Sequence, residues 1–310
     1  MSAERATLTR SAAYASISVA VLLVALKSWA AWQTGSVAML GSLADSALDL
    51  VASIATLIGV WVAAQPADRN HRFGHGKAES VAALVQIILI ALSAFGILIR
   101  SAQQLVDGSR VAAPTEGMAV SAVAIVATFA LLAWQRHVIA RTNSVAITTD
   151  HVHYQSDLLL NLAVIAALAL DAHLGLTWAD PVFGIVIALW LAWGAKRASS
   201  EVVSQLMDEE WPEDKRRAFV ERAARHPELA NLHDLRTRTS GTHDFVQFHV
   251  DMPPRMTVQQ AHDILERVEA DLMDAFPDTE ILIHIDPKGH VDEPGNALVE
   301  EDQFKALKEQ

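Results

Sequence analysis

Six long apolar runs, separated by short polar stretches, occupy the chain up to about residue 200. A helix needs about 20 predominantly apolar residues to cross the hydrocarbon core of a bilayer, and each run is long enough. The pattern therefore predicts six membrane-spanning helices, over residues 12–32, 39–64, 80–105, 117–137, 144–171 and 178–199. The stretches between them, such as "QTGS" and "DGSRVAAPTEG", carry turn-forming residues.

Beyond the last apolar run the pattern changes to shorter, amphipathic segments. "PEDKRRAFVERAARHP" predicts a helix between Pro212 and Pro227, and "LHDLRTRTSGTHDFVQFHVDM" predicts a β-hairpin that turns at Ser240 and Gly241. "TVQQAHDILERVEADLMDAF" predicts an amphipathic helix capped by Thr257, and "TEILIHIDP" predicts a final strand. The order α-β-β-α-β is typical of a ferredoxin-like, metallochaperone-like α+β domain with helices on one face of a small sheet.

The chain is thus predicted to have a six-span transmembrane domain (1–205), a cytoplasmic ferredoxin-like domain (206–290) and an acidic flexible tail (291–310). Its composition, 52% hydrophobic and 19% charged, is too apolar for a soluble protein of this length. Residues 1–200 carry 12 basic and 11 acidic side chains, whereas residues 201–310 carry 12 and 25. So acidic a soluble part argues against nucleic acid as a partner.

Lysine and arginine residues near the ends of the predicted spans are distributed asymmetrically. Only Arg100 and Arg110 lie on one side of the membrane, whereas the N-terminus, the second and fourth linkers and the exit from the last span are basic. The positive-inside rule therefore predicts that both termini are cytoplasmic. Lys27, near the outer end of the first span, is expected to extend to the membrane interface.

Two of the predicted spans each hold a pair of ionisable residues with a spacing of four. The second span holds Asp45 and Asp49, and the fifth holds His153 and Asp157. Each carboxylate would cost roughly 3 kcal/mol at the bilayer centre, so a compensating role is needed. Residues four apart share a helix face, and the helical rise of 1.5 Å per residue places the two pairs at matching depths.

Because the chain has no cysteine, only histidines and carboxylates can hold a metal ion. Three carboxylates and an imidazole suit tetrahedral Zn²⁺, and the imidazole favours a borderline metal over Mg²⁺ or Ca²⁺. The same groups bind protons and must release them to bind a metal. We therefore predict a metal site at Asp45, Asp49, His153 and Asp157 in which metal and protons exchange.

Two further groups of potential ligands lie outside the spans. The second linker holds Asp68, His71 and His75, and the soluble part holds His233, His249, His262, His284 and Asp286. His284 and Asp286 share a strand face, because side chains alternate along a strand. By spacing alone, each group is either a metal site or a set of ordinary polar surface residues.

Seven motifs spread over about residues 10–290 resemble the cation diffusion facilitator family, in particular its bacterial zinc and ferrous-iron efflux members. They are "LADSALD", "PADRNHRFGHGKAE", "HYQSDLLLN", "LHDLRTR", "QFHVD", "AHDI" and "IHIDP". The resemblance implies a secondary active transporter, not an enzyme, that exports Zn²⁺, Cd²⁺ and in some members Fe²⁺ against inward proton flow. It also implies a homodimer embedded in a lipid bilayer, expected here to be the bacterial inner membrane.

The resemblance assigns a role to each group of ligands. The four residues within the spans are implied as the transport site, the second linker as a loop site, and the five residues of the soluble domain as a binuclear zinc site in which Asp286 is a bridge. Zn²⁺ is then both cargo and a structural ion. Two positions depart from the better-known relatives, which usually have leucine where this chain has Val152 and glutamine where it has Ile285.

Other functions explain the pattern less well. A channel needs a continuous polar pore, and the first, third and sixth spans show no regular polar stripe. An intramembrane metalloenzyme needs an open zinc position and a base, and no H-E-x-x-H motif occurs. A metal-gated sensor leaves the ligands within the spans unexplained. An exporter of the same family that prefers Mn²⁺ or Fe²⁺ remains an alternative.

Overall fold

The computed structural model describes residues 3–34, 37–107, 115–176, 178–241 and 243–288. The chain divides into two compact units, of which the first ends at Val203 and the second begins at Ser204. The predicted acidic tail over residues 291–310 lies outside the described residues.

Long α-helices build the first unit. They are α1 (Ala3–Thr34), α2 (Val37–Ala63), α3 (Lys77–Asp107), α4 (Thr115–Thr142), α5 (Val145–Leu174) and α6 (Ala179–Leu206). Within the described residues, five helical stretches are long and apolar enough to cross a membrane: Glu4–Gln33, Ser42–Ala63, Lys77–Asp107, Ala122–Thr142 and Ala179–Leu206. These helices confirm the predicted helical membrane architecture of the N-terminal part.

Small residues allow these helices to pack closely. At Gly59 of α2, an added Cβ atom would lie 2.3 Å from the Cβ of Ala82 on α3, so only glycine fits there. Ala12 and Ala13 of α1 are fully buried in a cluster that includes Ala146 of α5. Close approach through small residues is the usual way in which membrane helices associate. It brings polar side chains of α1 to α5 within hydrogen-bonding distance of one another.

The second unit has the predicted order of elements. It consists of α7 (Glu213–Ala223), β1 (Ala230–Ser240), β2 (His243–Met252), α8 (Val258–Ala275) and β3 (Thr279–Pro287). The strand order is β1-β2-β3, in which β1 and β2 are antiparallel and β2 and β3 are parallel. As predicted, Thr257 caps α8, because its side chain accepts a hydrogen bond from the Gln260 backbone N–H. The structure confirms the predicted α+β class.

The core of the second unit lies between one face of the sheet and the two helices. Val246, Phe248 and Val250 of β2 pack into this core together with Phe219 of α7 and Leu272 of α8. Since side chains alternate along a strand, the odd-numbered residues of β2 lie on the opposite face. That face, which α7 and α8 do not cover, holds the three strand histidines of the predicted cytoplasmic site, His233, His249 and His284.

Candidate metal centre

The ionisable residues of α2 and α5 meet in the interior of the first unit. His153 Nε2 lies 3.0 Å from Asp49 Oδ1 and 3.8 Å from Asp157 Oδ2. One ligand atom from each of these three residues lies within 4.8 Å of the others. Two ligands that bind one Zn²⁺ at about 2.1 Å lie up to about 4 Å apart, so small adjustments would place all three on one ion. The structure thus brings together three of the four predicted ligands.

Asp45, the fourth predicted ligand, lies one helical turn before Asp49 on α2. Asp45 is exposed, and it does not belong to the compact group formed by Asp49, His153 and Asp157. Its spacing of four from Asp49 nevertheless puts both carboxylates on one face of α2. Asp45 is therefore next to Asp49 on that face of α2, but its carboxylate does not complete the set of four ligands in this structure.

Lys27 lies close to the same turn of α2. Its ammonium group donates hydrogen bonds to Ser46 Oγ at 2.7 Å and to the backbone oxygen of Ser42 at 3.3 Å. Ser46, which is buried, lies between Asp45 and Asp49 in the sequence. Lys27 thus contacts the helix that carries two predicted ligands.

Val152, one of the two departures from the better-known relatives, faces α6. One of its methyl carbons lies 3.7 Å from the position that a Cβ atom on Gly194 would occupy. Val152, the residue before His153, therefore contacts α6 at Gly194.

The linker between α2 and α3 brings its three predicted ligands together around Asp68. His71 Nδ1 and His75 Nε2 each lie 3.4 Å from a carboxylate oxygen of Asp68. The backbone N–H groups of His71 and Asn70 donate to Asp68 Oδ1 at 2.7 Å, and these bonds lower the pKa of the Asp68 carboxyl. The carboxylate is therefore ionised and oriented, as a metal ligand must be.

The three strands of the second unit place three histidines side by side. In the strand register, His249 pairs with His233 on one side and with His284 on the other. Asp286 Oδ2 lies 2.8 Å from His249 Nδ1 and 3.6 Å from His233 Nε2. His284 Nε2 lies 3.6 Å from the other oxygen, Oδ1. The Asp286 carboxylate thus contacts the histidines of all three strands, as expected of a bridging ligand.

Two further residues qualify the sequence prediction at this site. His262 lies on α8, which packs on the opposite face of the sheet, and its residue is exposed. Within the described chain it does not join the group formed by His233, His249 and Asp286. Asp234, which the prediction omitted, lies 3.7 Å from His249 Nε2. Its only sequence signal was its place in the motif "LHDLRTR".

Side chains next to the site have structural roles. Ile285 packs against the apolar core, so its side chain faces away from the histidines. His226, which the sequence did not assign to the site, lies 2.9 Å from Asp271 on α8, and Arg222 of α7 also contacts this carboxylate. This ion pair joins the two helices and leaves His226 outside the candidate metal site.

Comparison with known proteins covers both units. Residues 13–207 match the family described as the cation efflux transmembrane domain, and residues 211–288 match the cytoplasmic domain of cation efflux proteins. The chain is 42% identical to the cation-efflux pump FieF of Cronobacter sakazakii over 276 residues, which is 89% of this chain and 92% of that protein. It is 41% identical to FieF of Pectobacterium carotovorum over 293 residues, 94% of this chain and 97% of that protein.

Proposed function

This chain belongs to the cation efflux family, and we propose that it exports Zn²⁺ from the cytoplasm in exchange for protons. As a member of that family it is a multi-pass membrane transporter that moves divalent cations outward, and not an enzyme. The identity of the cargo, the coupling to protons and the cytoplasmic location of both termini are proposals that go beyond membership of the family. The bacterial inner membrane is the location that we propose.

The contact between Asp49 and His153 carries the proposal. It joins α2 to α5 through a carboxylate and an imidazole that are both largely buried. With Asp157, and with Asp45 as the fourth ligand, the site offers three oxygens and one nitrogen, a set that suits Zn²⁺ and Cd²⁺ better than Mg²⁺ or Ca²⁺. Fe²⁺ also accepts imidazole and carboxylate ligands, so it is the expected minor cargo.

Exchange for protons follows from the same side chains. A buried group of carboxylates without an ion is electrostatically unfavourable, and protons neutralise it when the metal leaves. His153 can take one proton on its ring, and the carboxylates can share another. When Zn²⁺ arrives these protons must leave, so metal and protons occupy the site in turn.

The cytoplasmic unit is proposed to hold resident zinc. The donor set fits, because His233, His249 and Asp286 already offer ligand atoms within 4.8 Å of one another, and His284 adjoins them. His262 can join only from a second copy of the chain, because α8 covers the opposite face of its own sheet. Zinc would thus link two acidic protomers and favour the homodimer that we propose.

The linker group at Asp68, His71 and His75 is proposed as a third metal site. The two imidazoles each lie beside an oxygen of the ionised Asp68 carboxylate, outside the membrane-spanning helices. With both termini in the cytoplasm, the linker after the second span is also cytoplasmic. Its role would then be to bind ions on the side from which they are exported.

The cargo is tested by transport into proteoliposomes that contain the purified protein. Uptake of Zn²⁺ is measured alone and in the presence of equal concentrations of Cd²⁺, Fe²⁺ or Mn²⁺. We expect Cd²⁺ to compete strongly, Fe²⁺ weakly and Mn²⁺ least, because the imidazole disfavours the harder ions. Inhibition of Zn²⁺ uptake by Mn²⁺ that matches or exceeds inhibition by Cd²⁺ would overturn the assignment of the cargo.

A further inference from the structure

A buried aspartate that is not one of the proposed transport ligands, Asp150, lies three residues before His153 on α5. Asp150 is completely buried and accepts hydrogen bonds from three other helices. Ser16 Oγ of α1 and Gln135 Nε2 of α4 donate to its Oδ2 atom at 2.5 and 2.7 Å, and Gln86 Nε2 of α3 donates to Oδ1 at 2.6 Å. Among the described residues, this cluster shares no hydrogen bond with the proposed transport ligands, and His153 contacts Asp49.

All three donors to Asp150 are uncharged. In the described part of the chain, neither lysine nor arginine forms an ion pair with this carboxyl. Within the described residues, the titratable groups that interact electrostatically with Asp150 are His153 and Tyr154 of its own helix, whereas the side chains of α1, α3 and α4 that donate to it are neutral. A carboxylate that is buried without a cation is strongly disfavoured relative to the neutral acid. An aspartate used only as a hydrogen-bond acceptor would bring this cost without a benefit.

The other titratable groups are engaged elsewhere. His151 Nδ1 lies 3.2 Å from Gln135 Oε1, on the opposite end of the amide that donates to Asp150, and Arg136 of α4 is the cation near His151. The Tyr154 hydroxyl donates to the backbone oxygen of Ser16 at 3.1 Å. These contacts fix the donors that surround Asp150 but supply no charge to it.

Gln86 can serve the neutral acid as well as the carboxylate. Its Oε1 atom is buried, and no donor in the described chain reaches it. A half-turn of the amide would exchange this free oxygen with the nitrogen that now faces Asp150. The protonated acid could then donate from Oδ1 to Gln86 Oε1 across the same 2.6 Å, a normal O–H···O distance. Ser16 and Gln135 would continue to donate to Oδ2.

We propose that Asp150 is a proton-binding site, separate from the transport ligands, that holds a proton while the transport site is empty and releases it to solvent when a divalent ion binds. Asp150 precedes the ligand His153 by three residues, about 4.5 Å of rise along the helix axis. A double positive charge bound at the neighbouring turn, in a medium of low dielectric constant, favours the carboxylate. The Asp150 proton would then leave in addition to those displaced from the ligands. This inference rests on the proposed exchange of metal for protons.

The test is a count of the protons released per protein chain as zinc binds to saturation, measured by titration calorimetry of the full-length protein in buffers of different ionisation enthalpy. Asp150→Asn mimics the neutral acid, because its amide can donate to Gln86 while its oxygen accepts from Ser16 and Gln135. We expect unchanged zinc stoichiometry and about one proton fewer per chain than in the wild type. Equal proton counts would overturn this inference alone, whereas a wild type that releases no proton would overturn the proposed exchange as well.

A second measurement does not depend on the folding of that variant. Infrared difference spectra of the wild type, recorded before and after Zn²⁺ addition, should show the loss of a carbonyl band from a protonated carboxyl. In Gln86→Leu the acid loses its acceptor, so the band should shift to higher frequency. A band from the transport ligands would not respond to this substitution. The absence of any zinc-sensitive band that responds to Gln86→Leu would contradict the inference.

Discussion

His153 on α5 and Asp49 on α2 meet through an Nε2–Oδ1 distance of 3.0 Å in the interior of the membrane unit. The contact joins two helices whose carboxylates would each cost roughly 3 kcal/mol at the centre of a bilayer. Close helix packing elsewhere in this unit does not use such residues, because it is made by alanine, glycine and aliphatic side chains. If the two side chains are ligands of one ion, changing either should affect metal transport much more than the fold.

Asp49→Ala is expected to abolish Zn²⁺ transport and leave a folded dimer. The variant removes a direct ligand, which should weaken metal binding by more than the roughly 10–100-fold caused by loss of an outer-shell partner. Zinc flux in proteoliposomes and size-exclusion chromatography measure the two effects. Asp107→Ala, at the exposed end of α3, is the matched control and should transport normally. Wild-type flux in Asp49→Ala would show that this carboxylate is not a ligand.

His153→Asp should alter the preference for metals. The substitution converts the site to oxygen ligands alone, which favours harder ions such as Mn²⁺. The ratio of Zn²⁺ to Mn²⁺ uptake should therefore fall by about tenfold or more, equivalent to roughly 1.4 kcal/mol of discrimination. His137→Asp, which changes an exposed histidine of α4, should leave the ratio as it is. An unchanged ratio in His153→Asp would mean that the imidazole does not contact the ion.

Zinc should stabilise the isolated cytoplasmic unit, residues 206–290, which has its own apolar core. An ion that binds only the folded state stabilises it by about 2.7 kcal/mol when its free concentration is a hundredfold above Kd. The melting temperature of a domain of this size should rise by roughly 4–8 °C for each kcal/mol. The same titration should shift the unit toward the dimer in analytical ultracentrifugation.

The double variant His249→Ala, Asp286→Ala should lose this zinc-dependent increase in melting temperature. In the full-length protein it should weaken transport without abolishing it, because the membrane site is unchanged. His243→Ala alters a histidine at the start of β2, outside the cluster, and should keep the increase. Identical melting curves with and without Zn²⁺ in the wild type would show that the three histidines do not bind the metal.

Asp68 of the linker site should remain an ionised ligand below its ordinary titration range. Backbone hydrogen bonds from His71 and Asn70 hold the pKa of the Asp68 carboxyl below its ordinary value of 3.8. A lowered pKa means that these bonds contribute fully above the unfolded value and are lost only as the pH falls through the lower, folded value. The Asp68 carboxylate therefore stays ionised until the pH reaches that lower value.

Carbon-13 NMR of the aspartate carboxyl carbons measures the pKa of Asp68 directly. His71→Ala keeps the backbone N–H that donates to Asp68, so in this variant the pKa should stay below 3.8. It should nevertheless lose zinc affinity, because one imidazole is gone. An Asp68 carboxyl that titrates at or above 3.8 would contradict the arrangement of the linker.

Helical periodicity explains why the membrane site was largely predictable from sequence. Asp45 with Asp49, and His153 with Asp157, each occupy one helix face, and antiparallel spans place the pairs at the same depth. The sequence could not show that Asp45 stays outside the compact group, because this depends on the rotation of α2 against α5. Rotation is set by close contacts such as that of Gly59 with Ala82, which involve residues distant in sequence.

The cytoplasmic site was harder to predict because its geometry depends on strand pairing. Alternation along β3 predicts that His284 and Asp286 share a face. The pairing of His249 with both His233 and His284 depends on the register of three strands, which a local pattern does not encode. The sequence also does not show on which face of the sheet α8 packs. Its position on the core face separates His262 from the strand histidines of the same chain.

Asp150 had no local signal of its own. Two of its three partners, Ser16 and Gln86, lie 134 and 64 residues away in the sequence. In the run "DHVHYQSD" it is only one ionisable residue among five. The packing of α1, α3 and α4 around α5 distinguishes it from the exposed acids of the chain.

Simultaneous measurement of zinc and proton movement in proteoliposomes tests the central claim most directly. Zn²⁺ is added outside vesicles whose interior is either more acidic than the medium or at the same pH. We predict that an acidic interior accelerates Zn²⁺ entry and that each entry raises the internal pH, with neither effect in Asp49→Ala vesicles. Zinc uptake at one rate with and without the gradient, and with no change of internal pH, would contradict exchange of metal for protons.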